Sequence, residues 1–371
     1  MKRLLVVSHR PIDQAGGPAA RWRSFAKHLP ALGWEVDVVS GGGGDEFALP
    51  ERAQSRAKVM ETVGRLADPA FRLLGLRPEA MPLSTAWAPR GARDVRRRLQ
   101  EHRYDAVLAT GPPFAALIAA RMAHGDVPLF VELRDLWGGN PAFDRGGPVL
   151  RRLESWVVKD AAAVVAVTPE AGADLRRRHP GARIEEIPNG FEPELLEKRR
   201  PSGGTTIIHS GTLTKDRPLA PLLRALKPPL RLVLHGYVAP EIQAEIAESG
   251  ADVEIVPPSS WEDAVERIDA ADIALITQSR GAGDETAVAA KVYEYLALGK
   301  TVLCISDGGA TEALLHRLGA DQFTARLDDA PSIEAALARI SAGELPSPVP
   351  AEKLAPYERP RLAAELVKLL G

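Results

Sequence analysis

The sequence of 371 residues contains one cysteine, Cys304, and no long hydrophobic run. One cysteine cannot form an internal disulfide, and its place in the apolar stretch TVLCIS predicts a small buried side chain. No stretch of about eighteen apolar residues is present, so we expect no membrane-spanning helix. The opening residues MKRLLVVSHRP have an apolar run too short for a secretory signal. We therefore expect a cytoplasmic protein.

Motifs of several common enzyme classes are also missing. The sequence has neither GxxxxGK[ST] nor GxGxxG, which disfavours a P-loop NTPase and a common dinucleotide dehydrogenase. It has no GxSxG elbow for a serine hydrolase and no Asp-x-Asp pair at a strand end that would hold a metal ion. The net charge of −2 gives no global field that would favour nucleic acid.

Strand and helix patterns alternate along most of the chain. RLLVVSH (3–9) is a predicted strand, residues 19–33 have helical periodicity, and WEVDVVSGG (34–42) is the next predicted strand. This spacing forms a βαβ unit and implies a parallel sheet. Further strands are predicted at 104–113, 127–135, 162–168 and 182–190, with helices from about 114, at 148–160 and at 169–179.

The polar segment EKRRPSGGTT (197–206) is typical of a linker. The alternation restarts after it, at TIIHSGT, and includes a helix predicted at 218–227. A chain of this length is too long for one comfortable core. The sequence therefore predicts two doubly wound α/β domains, 1–196 and 206–350, and a final helix within 355–371.

Residues 44–103 form an irregular insertion in the first predicted domain, with helices expected near 51–66 and 91–103. Insertions of this kind usually border a substrate cleft. The basic segments 93–103 and 175–183 have two interpretations. They are either solvated helix faces or a surface for an anionic acceptor or peripheral membrane contact, and the absence of an aromatic partner face favours the first.

In the second domain, the loop HSGTLTKDRP leaves its predicted strand at Ser210. Gly211 allows close approach of the backbone to a ligand, and Lys215 and Arg217 lie just before a helix expected near Pro218. Backbone N–H groups at a helix entrance together with two cations are suited to phosphate.

A second helix entrance follows the loop GAGDETAVAAK. Lys291 would add charge for a diphosphate, and Glu294, one turn further, would accept hydrogen bonds from paired ribose hydroxyls. The alternative is a surface ion pair at a helix start, and the spacing alone does not separate the two interpretations.

Taken in order, six segments resemble the GT-B glycosyltransferases, specifically the retaining family-4 enzymes. They are AGGPAARWRSFAKHLPALGWEVDVVS, TGPPFAALIAA, VELRDLW, IPNGFE, HSGTLTKDRPLAPLLRAL and AKVYEYLALGKTVL. The resemblance implies two Rossmann-like domains facing a cleft, with a nucleotide-diphosphate sugar bound mainly to the second. It also implies that catalysis needs no metal or other cofactor, and that the final helix crosses back to the first domain.

The resemblance also assigns residues in the second domain. The ribose-binding glutamate of the family falls on Glu294. Its glycine-rich turn falls on Gly211, with Thr212 next to it as a further candidate, and its diphosphate cations fall on Lys215, Arg217 or both. Thr286 stands where the family usually has a glutamate. Either Asp284 or Glu285 replaces it after a small shift of the loop, or backbone N–H groups contact the sugar instead.

In the first domain, Gly16 and Gly17 match the glycine loop that lies near the donor phosphate and the acceptor. Arg134 and Asp135 occupy the place where many relatives have a histidine, and we expect them to orient the acceptor or the transferred sugar. The alternative is an Arg–Asp pair that fixes the loop. His9 is a candidate substrate contact, although a lone histidine is more often structural.

These observations predict a retaining glycosyltransferase that moves a sugar from a nucleotide-diphosphate donor to a small-molecule or glycan acceptor, a natural product or an envelope glycan. The first alternative is a sugar-nucleotide 2-epimerase of the same fold. The second is a pseudo-glycosyltransferase that couples a cyclitol-type donor or binds nucleotide without turnover. Nucleic acid is not an expected partner.

Overall fold

The computed structural model describes residues 1–12, 17–41, 87–138, 147–200, 203–217, 219–279 and 282–371. Gly16, the predicted helix at 51–66 and most of the insertion lie outside these ranges. The chain divides into two compact units. Unit 1 contains Met1–Gln14, Phe25–Ile187 and Ala364–Gly371, and unit 2 contains Ala15–Ser24 and Pro188–Ala363.

Unit 1 is built on a six-stranded parallel sheet with strand order β2-β1-β3-β4-β5-β6. Its strands are β1 (Lys2–Ser8), β2 (Trp34–Ser40), β3 (Ala106–Gly111), β4 (Leu129–Leu133), β5 (Ala163–Ala166) and β6 (Ile184–Glu186). The helices of this part of the chain are α1 (Gly17–His28), α2 (Ala88–Glu101), α3 (Ala115–Arg121), α4 (Gly147–Lys159) and α5 (Pro169–Arg178).

The sequences of these strands explain the sheet. All six residues of β3, AVLATG, are buried, as are all four of β5, AVVA. Continuous apolar runs of this kind belong to parallel strands that are covered on both faces. The helices that cover them, such as the alanine-rich α3, contribute small buried side chains to the same core.

Unit 2 repeats the arrangement with strand order β12-β11-β10-β7-β8-β9, again fully parallel. The strands are β7 (Thr206–Ser210), β8 (Arg231–His235), β9 (Val253–Val256), β10 (Ile273–Thr277), β11 (Thr301–Ile305) and β12 (Phe323–Ala325). The helices of the chain after residue 203 are α6 (Ala220–Ala225), α7 (Pro240–Ser249), α8 (Trp261–Ala270), α9 (Lys291–Ala297), α10 (Ala310–Leu318), α11 (Ala330–Ser341), α12 (Ala351–Leu354) and α13 (Arg359–Leu370), the last of which has residues in both units.

The two sheets confirm the predicted α/β class with two doubly wound units. Two helices are shorter than predicted. The helix expected over 19–33 ends at His28 and continues as a 3-10 turn, because Pro30 has no N–H to donate and Gly33 adopts φ +86°. The helix expected over 218–227 covers only Ala220–Ala225, because two prolines follow at 228–229.

Of the helices in the described ranges, none combines the length and the apolar character needed to cross a bilayer. Cys304 is buried in β11, as its apolar neighbours predict.

Candidate functional site

The candidate site in unit 2 lies where the central strand β7 ends. Because the sheet is parallel, the carboxyl ends of β7, β8 and β10 share one edge, and ligands of open α/β sheets bind outside that edge. Ser210 is the last residue of β7, His235 the last of β8, and α9 begins nearby with Lys291.

Gly211 follows β7 with φ +142°, a conformation that favours glycine. Its N–H donates to the His235 carbonyl at 2.7 Å. A Cβ at this position would overlap the ammonium group of Lys291. The glycine therefore lets the Lys291 side chain lie across the end of the strand, where Lys291 donates to the Ser210 carbonyl.

Lys291 is only partly exposed and carries an unusual charge state. Its pKa falls from 10.5 to about 7, first because the ammonium is buried and second because Arg217 lies near it, while Glu294 opposes the change. Two neighbouring cations in a half-buried position repel each other. Such an arrangement is energetically costly when empty and is favourable when an anion binds between the cations.

His209 and Lys291 are also neighbours, with 3.5 Å between Nε2 and Nζ. His209 is buried, and its Nδ1 donates to the Leu275 carbonyl at 3.2 Å, which leaves Nε2 as an acceptor. Burial, Lys291 and Arg217 together hold the pKa of His209 well below its usual value. A neutral histidine with this tautomer supports Lys291 and is a poor candidate for a general base.

Lys215 and Arg217, the other two candidate cations in the loop after β7, differ in exposure. Lys215 is exposed, and no other described residue forms a hydrogen bond or ion pair with its side chain. Arg217 is half-buried and close enough to lower the pKa values of His209 and Lys291. Both helices after these loops are short, six residues in α6 and seven in α9, so the side-chain cations rather than helix dipoles dominate the local charge.

Glu294 lies one turn into α9, and 16% of its side chain is exposed. Its Oε1 accepts a hydrogen bond from Trp261 Nε1 at 3.0 Å and lies 3.7 Å from Nη2 of Arg359. The structure thus places Lys291 and Glu294 on the same short helix with different partners. They do not form the surface ion pair that was the alternative interpretation.

The two carboxylates expected to replace the missing glutamate at Thr286 have different surroundings. Asp284 accepts a hydrogen bond from the Ser279 N–H at 2.6 Å, and burial raises its pKa. Glu285 is exposed at the end of a 3-10 turn, and Thr286 is half-buried. Asp284 therefore stabilises the loop, whereas Glu285 extends from it. Thr212, after the glycine turn, is also exposed.

The remaining candidates lie before residue 190. Arg134 follows β4; its N–H donates to the Gly111 carbonyl at 2.9 Å, and its guanidinium donates to the Pro112 carbonyl. Asp135 beside it is half-buried. His9 follows β1 and contacts the Trp87 ring edge-to-face at 5.4 Å. Gly17 is the first residue of α1.

Sequence reasoning missed Trp261 and Arg359, the two partners of Glu294. Trp261 begins α8, directly after its N-cap Ser260, and Arg359 begins α13. Both are distant from Glu294 in the sequence, so no local spacing could have predicted the contacts. Within the described ranges, no three His, Cys, Asp or Glu side chains come together as a metal site, and metal independence stays a prediction.

These features define the chain by class: two Rossmann-like units with charged residues at a strand-end edge are typical of the GT-B fold. Residues 16–190 match the glycosyl transferase 4-like domain family. No curated protein sequence matches the chain. The match confirms a glycosyl transferase 4-like domain over residues 16–190, and the solved structures below confirm the predicted GT-B fold over the whole chain.

Three solved structures illustrate the shared fold over the whole chain. Sucrose-phosphate synthase from Thermosynechococcus elongatus has 14% identity and a TM-score of 0.71, covering 100% of this chain and 98% of its own. HepE from Anabaena, solved with UDP and glucose, has 16% identity and a TM-score of 0.65, and the match covers 100% of this chain and 99% of HepE. The UDP-GlcNAc 2-epimerase from Methanocaldococcus jannaschii has 12% identity and a TM-score of 0.57, covering 100% and 99%.

Proposed function

We propose that the chain is a retaining glycosyltransferase that uses a nucleotide-diphosphate sugar as donor. The observation that carries the proposal is the pair of cations, Lys291 and Arg217, at the end of β7, with the Glu294 carboxylate one turn from Lys291. Together they offer positive charge for a diphosphate and a hydrogen-bond acceptor for a ribose, at the edge where a nucleotide would bind.

The cations have two roles in the proposed reaction. They bind the diphosphate of the donor, and they stabilise the charge that develops on it when the bond to the sugar breaks. The bound anion would restore the proton of Lys291, whose ligand-free pKa is about 7. The same cations supply the charge that a metal ion supplies in other transferases, so we propose that no metal is required.

Retention of the anomeric configuration follows from the family resemblance. In this mechanism the leaving phosphate accepts the proton of the acceptor hydroxyl on the face from which it departs. Arg134 and Asp135, at the carboxyl end of β4, are the residues that we propose orient the acceptor or the transferred sugar. The acceptor class, a natural product or an envelope glycan, belongs to the same proposal.

The donor nucleotide is best sought first among uridine diphosphates. The HepE structure contains UDP and glucose, and the epimerase with the shared fold acts on a UDP-sugar. Epimerisation is also the main alternative function, since the epimerase shares the fold over the whole chain. Its TM-score of 0.57 is lower than the 0.71 of sucrose-phosphate synthase.

Incubation with nucleotide sugars tests the proposal. UDP-, GDP-, ADP- and TDP-sugars are supplied with and without a pool of sugar and natural-product acceptors, and the products are followed by NMR. We expect acceptor-dependent release of one nucleoside diphosphate, an unchanged anomeric configuration in the product, and no loss of activity with EDTA.

Three results would contradict the proposed function. Conversion of donor alone to its C2 epimer would identify an epimerase. Inversion in the product would remove the retaining mechanism. Nucleotide binding without turnover on any acceptor would favour the pseudo-glycosyltransferase. Glu334→Ala is the control variant, because this glutamate is exposed on α11 and, within the described part of the chain, has no hydrogen bond or ion pair with a candidate site residue.

A further inference from the structure

The motif IPNGFE forms a backbone pairing with the residues that precede α13. The Phe191 N–H donates to the Tyr357 carbonyl at 3.1 Å, and the Arg359 N–H donates to the Phe191 carbonyl at 3.0 Å. Gly190 has no room for a Cβ, which would overlap the Tyr357 carbonyl. This close pairing fixes where the Arg359 side chain begins.

The guanidinium of Arg359 is then held by the same motif. Its Nε donates to the Gly190 carbonyl at 3.2 Å, and its Nη1 lies 3.6 Å from Oε1 of Glu192. Glu192 is itself held by a 2.6 Å hydrogen bond from Ser24. Only 13% of the Arg359 side chain is exposed, so these contacts are sheltered from solvent screening.

The remaining nitrogen of Arg359 lies beside Glu294. Nη2 is 3.7 Å from Oε1 of Glu294, the oxygen that also accepts the Trp261 hydrogen bond. Among the described residues, Oε2 of Glu294 has no hydrogen-bond partner. The carboxylate is thus fixed through one oxygen, and the other remains for a ligand.

Packing of α9 supports this arrangement. The ring of Tyr293, the residue before Glu294, lies 5.1 Å from that of Tyr357. Tyr293 is buried, so this contact locks the first turn of α9 against the segment that carries Arg359. A rotation of α9 that moved Glu294 away from Arg359 would break the contact between the Tyr293 and Tyr357 rings.

We propose that Arg359 is a positioning residue for Glu294, held by the 188–192 segment so that Glu294 meets the ribose of the donor with Oε2 in a fixed orientation. The inference rests on the proposed function, which assigns Glu294 to the ribose. A preorganised carboxylate loses less side-chain freedom on binding, so the contribution of Arg359 should appear as affinity for the nucleoside part of the ligand.

A double-mutant cycle tests this inference. Calorimetry measures the affinity of wild type, Arg359→Ala, Glu294→Ala and the double variant for UDP, GDP, ADP and TDP, and for inorganic pyrophosphate. We expect Arg359→Ala to weaken binding of the preferred nucleoside diphosphate about tenfold. In the Glu294→Ala background the same change should have no effect, and pyrophosphate affinity should not change in either background.

The control is Arg361→Ala on the same helix. The Arg361 side chain is 61% exposed, and Glu358 is its only hydrogen-bond or ion-pair partner among the residues that the structure describes. We expect its variant to bind like wild type. Arg359→Gln, whose uncharged amide reaches only about as far as Nε of the arginine, is measured in parallel in case Arg359→Ala does not fold, and Arg359→Lys should recover part of the affinity.

The outcomes separate the inference from the function on which it rests. One result is that Arg359→Ala weakens nucleotide binding equally in the wild-type and Glu294→Ala backgrounds, and another is that it weakens binding in neither. Either result would overturn the positioning role of Arg359 and leave the assignment of Glu294 to the ribose unchanged. Unchanged affinity in Glu294→Ala, or no nucleoside diphosphate binding to wild type, would overturn the assignment of Glu294 and the inference together.

Discussion

Lys291 and Glu294 could be selected from the sequence because they are three positions apart at a helix start, which places them on one face. The sequence alone could not show why the two residues have different roles. Lys291 reaches the Ser210 carbonyl across Gly211, and Glu294 meets Trp261 and Arg359, which come from other parts of the chain. Contacts between sequence-distant side chains depend on the whole sheet, so local pattern does not encode them.

The charge state of Lys291 makes binding depend on pH. In the ligand-free chain its pKa is about 7, and a bound diphosphate would raise it, so above that pH the ligand must bind together with a proton. We expect the affinity for a nucleoside diphosphate to fall as the pH rises above about 7.

Calorimetry in buffers with different ionisation enthalpies measures this proton uptake directly. Lys291→Ala should bind more weakly and should show no uptake above neutral pH. The same uptake in the variant would mean that the proton binds elsewhere.

Arg217 should matter more than Lys215. Arg217 is half-buried near Lys291, whereas Lys215 is exposed and surrounded by solvent, where a charge is well screened. We expect Arg217→Ala to lower turnover at least about tenfold, and Lys215→Ala to have a much smaller effect.

The comparison uses the matching nucleoside, which has no phosphate, as a second ligand. Its affinity should be unchanged in both variants. If Arg217→Ala weakens nucleoside binding as much as it lowers turnover, the guanidinium stabilises the fold of the loop and does not act on the leaving group.

At the scale of elements, the strands were the most predictable part. Apolar runs such as VVAV and TVLCI are typical of strands in a parallel sheet covered on both faces. No element was predicted from the sequence between β11 and the end of α12. In that stretch β12 has only three residues and gives little periodicity. Helix lengths differed where proline follows, as at α6.

The pairing of residues 188–192 with 357–359 should be sensitive to one methyl group. We expect Gly190→Ala to lower the free energy of unfolding by about 1–3 kcal/mol, because the Cβ would meet the Tyr357 carbonyl and not a flexible side chain. Thermal and urea unfolding measure the change.

Gly181→Ala is the matched control, since nothing lies within 4 Å of a Cβ there and its φ is not positive. We expect it to change stability by at most about 0.5 kcal/mol. Equal stabilities for the two variants would show that the 188–192 pairing yields to a methyl group.

For the whole molecule, the repeated α/β pattern and the ordered motifs predicted both the fold and its class. The structure confirms the fold, and the match confirms a glycosyl transferase 4-like domain over residues 16–190. The acceptor was not predictable. The insertion expected to contact it has no recognisable pattern over most of 44–103, and specificity depends on the shape of a pocket, which composition does not determine.

The most direct test of the central claim is calorimetric titration of the wild type and Glu294→Ala with UDP, GDP, ADP and TDP, with Glu334→Ala as control. We predict that wild type binds one of them and that Glu294→Ala weakens that binding by about 1–3 kcal/mol, through loss of hydrogen bonds to a charged acceptor. Glu334→Ala should bind like wild type. Binding of none of the four, or equal binding by wild type and Glu294→Ala, would contradict a nucleotide site at the end of β7.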